Sequence, residues 1–198
     1  MAEKFFPNRA FFWSFWNQVV FVVGMAGYST IDTIQFRKPD AINPTLVLLI
    51  YIVLAGIFVL DSILQLCMVY HLGTKNLRYS IVLFSTIFDL MGSTTYLLGA
   101  IFAAVPMVSA DLVWVFNTVG ILAFLIGAFI NMWDDRLCKL SLWANALNLI
   151  GASLLTLTII ITTTPWVQYI TLSSDYLYLI DAILYIICWF FERRAAAL

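Results

Sequence analysis

The chain has 198 residues, of which 63% are hydrophobic and only 11% charged, against roughly 45–50% apolar and about 25% charged in an ordinary soluble domain. That composition belongs to a polytopic membrane protein and leaves no room within these residues for a separate soluble catalytic domain. The net charge of −1 says little; where each charge stands says far more.

A span needs about 20 apolar residues to cross a hydrocarbon core of about 30 Å. Six segments qualify. The first, 10–30, follows MAEKFFPNRAFFW, which has no small-residue cleavage site and reads as an uncleaved anchor rather than a signal peptide. Phe11, Phe12, Trp13, Phe15 and Trp16 beside Arg9 suit a membrane interface. Arg37-Lys38-Pro39-Asp40 separates this span from the second, 45–70, and His71-Leu72-Gly73-Thr74-Lys75 separates the second from the third, 79–104. Pro106 precedes the fourth, 112–133; Asp134-Asp135-Arg136 precedes the fifth, 140–163; Pro165 precedes the sixth, 175–191. The final AAAL, 195–198, follows Glu192-Arg193-Arg194 and reads as a cloning remnant, leaving 1–194 as a single six-helix transmembrane domain. All six spans are expected to be helices, because an open strand would leave backbone groups unpaired in lipid.

Basic residues set the expected orientation. Lys4, Arg9, Lys75, Arg78, Arg136, Lys139, Arg193 and Arg194 fall on the side of the N-terminus, whereas only Arg37 and Lys38 fall on the other. Both termini are therefore expected in the cytoplasm, on a membrane the sequence does not name. Cys67, Cys138 and Cys188 lie toward that same side, where a reducing compartment keeps thiols free. With its basic residues at membrane edges, the chain shows no nucleic-acid surface.

The odd-numbered spans align on a glycine: FWNQVVFVVGMAGY on Gly24, LFSTIFDLMGSTTY on Gly92 and LWANALNLIGASLL on Gly151. Each carries an aromatic eight residues earlier, namely Trp16, Phe84 and Trp143. The even spans align more weakly through DSILQLCM, GAFINMWD and DAILYIIC. The expected architecture is three tandem helical hairpins, about 10–70, 79–133 and 140–191, in one bundle, with any binding site where the units meet. The segment Leu142-Trp143-Ala144-Asn145-Ala146-Leu147-Asn148-Leu149-Ile150-Gly151-Ala152 resembles the YrhK-like family of small membrane modules in its aromatic, polar and aliphatic-Gly-small order. The likeness covers single helices, and Phe21 departs from it at the polar position of the first span. It implies membrane architecture and no particular activity.

Three aspartates, Asp61, Asp89 and Asp181, lie inside apolar spans with no intramembrane Lys or Arg. An ionised carboxylate at a bilayer centre costs roughly 2.5–3.5 kcal/mol even on insertion scales, so such groups are expected to face inward. Helical periodicity places Ser85, Asp89, Ser93 and Tyr96 on one face, Ser141, Asn145, Asn148 and Ala152 on another, and Tyr178, Asp181, Tyr185 and Cys188 on a third. The second span adds Gln65 one turn beyond Asp61, and the first adds Asn17 or Gln18, Gly24 and Tyr28. At a rise of 1.5 Å per residue the three carboxyls come out about 14–16 Å deep, and Asn148 about 12–13 Å, so that they share one level.

Two uses of that level compete. As polar glue, protonated carboxyls would donate to Asn148, Asn145 or Tyr185 and fix helix packing, at about 0.6–2 kcal/mol per contact. As a pathway, acids with no countercharge form a well for a monovalent cation or a proton. The first expectation is a small cation-selective channel or a proton- or cation-coupled transporter, using Asp61, Asp89, Asp181, Asn148, Asn145, Gln65, Ser85, Ser93 and Tyr185. Gly24, Gly92, Gly120, Gly127 and Gly151 would let the helices approach. A structural or assembly protein and a lipid-binding or lipid-modifying protein are the alternatives, and a pathway within one chain or at the axis of a homo-oligomer fits equally. No nucleophile, metalloprotease or phosphate-loop motif is present, so no enzyme is expected. No cofactor or metal is expected either: His71 is the only histidine, too few for a bis-His haem, and with Cys67 it makes only half of a zinc site.

Overall fold

The computed structural model describes residues 8–74, 78–133, 139–161, 163 and 165–196. Lys4, Lys75, Arg136, Cys138 and the last two residues of the terminal AAAL lie outside them. Within the described residues the chain forms six helices and no strand: α1 (Asn8–Arg37), α2 (Pro44–Leu72), α3 (Tyr79–Ala103), α4 (Ala110–Asn131), α5 (Leu140–Ile160) and α6 (Trp166–Ala196). Each is long and apolar enough to cross a membrane.

Local chemistry sets several of the ends. The Asn43 side chain accepts from the Thr45 amide at 2.8 Å ahead of Pro44, whose fixed φ suits the first helical position. Gly73, at φ 78°, closes α2 in a conformation costly for any other residue. Ser109 caps α4 through the Leu112 amide at 3.3 Å.

Two helices outrun the spans expected of them. α1 continues past residue 30 to Arg37, and α6 begins at Trp166 rather than near 175. Polar residues dilute hydropathy in both extensions, yet their hydroxyls are satisfied inside the helices. Ser29, Thr30 and Thr33 donate to the carbonyls of Met25, Ala26 and Ser29 at 2.8, 2.7 and 2.5 Å. Ser173 donates to Tyr169 O at 2.7 Å, and Ser174 reaches across to Gly151 O on α5 at 2.8 Å. Such back-bonding lets a polar stretch stay helical in an apolar setting.

The helices form a closed ring. Each packs against its neighbours in the chain, α6 returns to pack on α1, and among the described residues no helix backbone approaches one across the ring. The pairings within α1–α2, α3–α4 and α5–α6 are the most extensive, and α4–α5 is the thinnest seam. The chain is thus laid out as three hairpins in sequence.

Glycines set the spacing within these hairpins. A Cβ on Gly92 would stand 2.8 Å from Phe124 Cδ1 and 3.1 Å from the carbonyl oxygen of Gly120 on the facing helix. Gly24 lies against Ile57 and Phe58, and Gly151 against Tyr178. Gly27 against Leu54 and Gly99 against Asn117 are close approaches that the sequence alignment passes over. Gly92→Leu is expected to force α3 from α4 and cost about 1–3 kcal/mol, read as a lower melting temperature of the detergent-purified protein.

The outer face of the ring is apolar, with Val53, Ile87, Phe129, Ile150 and Ile180 exposed along it. Aromatics gather toward the helix ends: Trp133, Trp143 and Phe190 near the face bearing the termini, Trp114, Trp166 and Tyr169 near the other. That distribution suits contact with a lipid bilayer. At the termini-bearing end the interior is filled by Ala10, Phe11, Met68, Val69, Leu72 and Val82, with Trp13 and Trp189 packed on them. The Trp189 indole donates to Phe11 O at 2.9 Å, and the Arg193 guanidinium lies 5.5 Å from the Phe11 ring centroid.

Candidate functional site: an acidic cavity within the ring

Because no helix occupies the centre, the ring surrounds a partly open cavity of about 370 Å³. Its floor is the apolar cluster at the termini-bearing end, where Met68 and Val82 form part of the lining. Among the described residues no Lys, Arg or His lines it, whereas Asp32, Asp61, Asp89 and Asp175 do. These four acids stand at two levels.

The lower level is the one the sequence points to. Asp61 Oδ1 accepts from Asn17 Nδ2 at 2.6 Å, and the same amide reaches the Asp61 carbonyl at 3.1 Å. Gln18 donates to Asn17 Oδ1 at 3.2 Å, which fixes the orientation of that amide. Asp89 Oδ2 accepts from Ser85 Oγ at 3.2 Å, with Gln65 beside it. Asp61 and Asp89 are close enough to repel each other, and Asp181 is near enough to Asp61 to add to its field. Gly127 makes room for this arrangement: a Cβ there would stand 2.5 Å from Asp89 Oδ1.

The expected pathway residues divide into two groups. Asp61, Asp89, Gln65, Asn148 and Tyr185 line the cavity. Asp181, Asn145, Ser85 and Ser93 are buried behind its wall. Ser93 meets Ser62 Oγ at 3.1 Å between α3 and α2. Asn145 donates to Asn131 O at 2.5 Å and accepts from the Tyr185 hydroxyl, so it ties α5 to α4 and α6. It supports the thinnest seam of the ring, and Asn145→Ala is expected to cost about 1–3 kcal/mol, checked by thermal unfolding in detergent. Asp181 is fully buried; Asn148 is near its carboxyl, but neither oxygen makes a well-formed hydrogen bond.

The upper level was not anticipated. Asp32 on α1 accepts a hydrogen bond from the Tyr51 hydroxyl of α2, and the Asp175 carboxyl of α6 lies against that of Asp32. Ser29 Oγ donates to Asp175 O at 3.3 Å, and Thr33 Oγ1 lies 3.0 Å from the Tyr176 hydroxyl, clasping α1 to α6. Asp32 was missed because it lies beyond the expected end of the first span. Asp175 stood at the expected start of the sixth. A signal was present for both: Asp175 extends the Tyr178, Asp181, Tyr185 stripe by one turn, and Asp32 lies one turn beyond Tyr28.

Between the levels stands an aromatic layer. Tyr28 is its hub, with ring centroids 5.5 Å from Phe58, 5.7 Å from Tyr51 and 6.3 Å from Tyr96, which in turn is 6.5 Å from Phe124. The Tyr28–Tyr96 contact reaches from α1 to α3, so long side chains span the interior where the backbones do not. Among the described residues no three His, Cys, Asp or Glu side chains are grouped to hold a metal ion.

No family model, curated protein or solved structure matches this chain. The functional reading therefore rests on the geometry alone.

Proposed function

We propose that this protein is a small cation-selective channel or proton- or cation-coupled transporter whose pathway runs through the six-helix ring of a single chain. The observation that carries this reading is the cavity inside the ring lined by acids, with no Lys, Arg or His in its wall among the described residues. Removing charge from water is expensive, so carboxyls in such a place gain most from a cation or a proton that neutralises them. Asp61 and Asp89 would be the principal binding groups, and Gln65, Asn148 and Tyr185 would supply neutral oxygens.

The apolar floor of Met68, Val82 and their neighbours favours a gated carrier over an open pore. Arg9, Lys139, Arg193 and Arg194 on the floor side favour placing that end in the cytoplasm. The lipid-handling alternative needs an elongated groove open to the bilayer, whereas the cavity lies inside a ring closed by α6 on α1. The assembly alternative is favoured at one place, the Asn131–Asn145–Tyr185 tie.

The test is carbodiimide labelling of the purified chain. A hydrophobic carbodiimide modifies a protonated carboxyl in an apolar site and spares one masked by a bound cation. Labelling of Asp61 or Asp89 that a transported cation suppresses supports the proposal. Labelling indifferent to every cation and to proton concentration counts against it.

A further inference from the structure

The cavity is far larger than one dehydrated inorganic ion requires, and its acids are not gathered at one point. Along α6, Asp175 precedes Asp181 by six residues, about 9 Å of helix. Along α2, Tyr51, which holds Asp32, precedes Asp61 by ten residues, about 15 Å. The two acidic levels are thus about 9–15 Å apart along the helices and line the same cavity. What separates them is aromatic. Phe21, Tyr28, Phe58, Tyr96 and Phe124 line the stretch between, a wall suited to methylene groups and to the face of an ammonium.

The upper level also carries polar atoms with nothing to bond. The Tyr28 hydroxyl is buried to 95%, belongs to a residue that lines the cavity and has no hydrogen-bond partner. Asp175 Oδ2, in a residue buried to 93%, has no N–H donor; the neighbour of its carboxyl is that of Asp32. A hydroxyl and a carboxylate oxygen left unpaired at that depth are costly unless something binds them. Both are satisfied by an N–H donor, and a primary ammonium offers three.

We propose that the cavity binds a linear polyamine, an alkyl chain with an ammonium at each end, one end held by Asp32, Asp175 and Tyr28 and the other by Asp61 and Asp89. This rests on the cation-pathway reading and names its substrate class. A dication spanning both levels would neutralise charge at each, while its methylenes lie against the aromatic wall. A monoamine could satisfy only one level at a time. Sodium or potassium would leave the aromatic stretch without a role.

The experiment measures binding and uptake of radiolabelled spermidine by the full-length chain in proteoliposomes, with butylamine, sodium and potassium as competitors. Spermidine is expected to bind at least about tenfold more tightly than butylamine, since a second charged contact of this kind is worth a factor of ten or more. Asp175→Asn is expected to bring spermidine affinity down toward that of butylamine for the parent chain. Tyr28→Phe, which removes only the hydroxyl, should lower spermidine affinity several-fold in a protein whose melting temperature does not fall. It keeps the test decisive should Asp175→Asn fail to fold. Transport of sodium, potassium or protons with no spermidine binding would overturn the polyamine assignment and leave the cation pathway standing. Equal affinity for spermidine and butylamine would also overturn it. Absence of any cation binding or flux would remove both.

Discussion

Asp61→Asn is expected to lower cation flux through reconstituted protein by about a hundredfold or more while the purified chain elutes and melts as the parent does. Asparagine keeps the shape of the side chain, and its carbonyl can still accept from Asn17, which now bonds Asp61 Oδ1 at 2.6 Å. What disappears is the charge facing the cavity. Losing one partner of a desolvated ion contact costs about 3–5 kcal/mol, or two to three orders of magnitude in affinity. Asp89→Asn should behave alike, because Asp89 lines the same level of the cavity and its charge acts on Asp61. Gly127→Ala offers an independent route to the same loss, since its Cβ would crowd Asp89 Oδ1. If either asparagine variant transports normally but melts far lower, these acids are packing elements and the cavity has another use.

Asp181→Leu is expected to raise the melting temperature while lowering flux. Asp181 is fully buried, and neither carboxyl oxygen has a well-formed hydrogen bond. A buried polar group without a partner costs about 1–3 kcal/mol. Leucine keeps the branched outline of the carboxyl and removes that cost; its methyls are bulkier than the oxygens, which offsets part of the gain, so stability should rise by less than that amount, at roughly 2–4 °C in melting temperature for each kcal/mol in a chain of this size. Flux should fall because Asp181 and Asp61 are close enough to interact electrostatically. Stability given up in exchange for charge is what a functional group looks like; a structural group behaves in the opposite way. A lower melting temperature for Asp181→Leu with unchanged flux would make Asp181 part of the helix glue.

The spans were readable because bilayer physics leaves little choice: long apolar runs bounded by Arg37-Lys38-Pro39-Asp40, Pro106 and Pro165 form helices in lipid. The ends of α1 and α6 were not, because hydropathy counts Ser29, Thr33, Ser173 and Ser174 as polar without seeing the carbonyls their hydroxyls reach. That shortfall hid the upper acidic level, since Asp32 belongs to the extension of α1 and Asp175 stands at the edge of that of α6. The shared depth of Asp61, Asp89 and Asp181 followed from helical rise alone. Which of them line the cavity did not, because that depends on which neighbouring side chains cover them. Asp61 and Asp89 line the cavity; Asp181 shares the face of cavity-lining Tyr178 and Tyr185 but is fully buried. The closed ring itself has no local signature, as it depends on α6 meeting α1 across most of the chain.

The central claim is that the ring carries cations through an acid-lined interior. The most direct measurement is flux into sealed proteoliposomes holding the purified wild-type chain, with gradients of protons, sodium, potassium and spermidine imposed one at a time. The account predicts selective dissipation of at least one cation gradient, with chloride unmoved and empty vesicles silent. Folded, inserted protein that leaves every cation gradient intact in both orientations would contradict it.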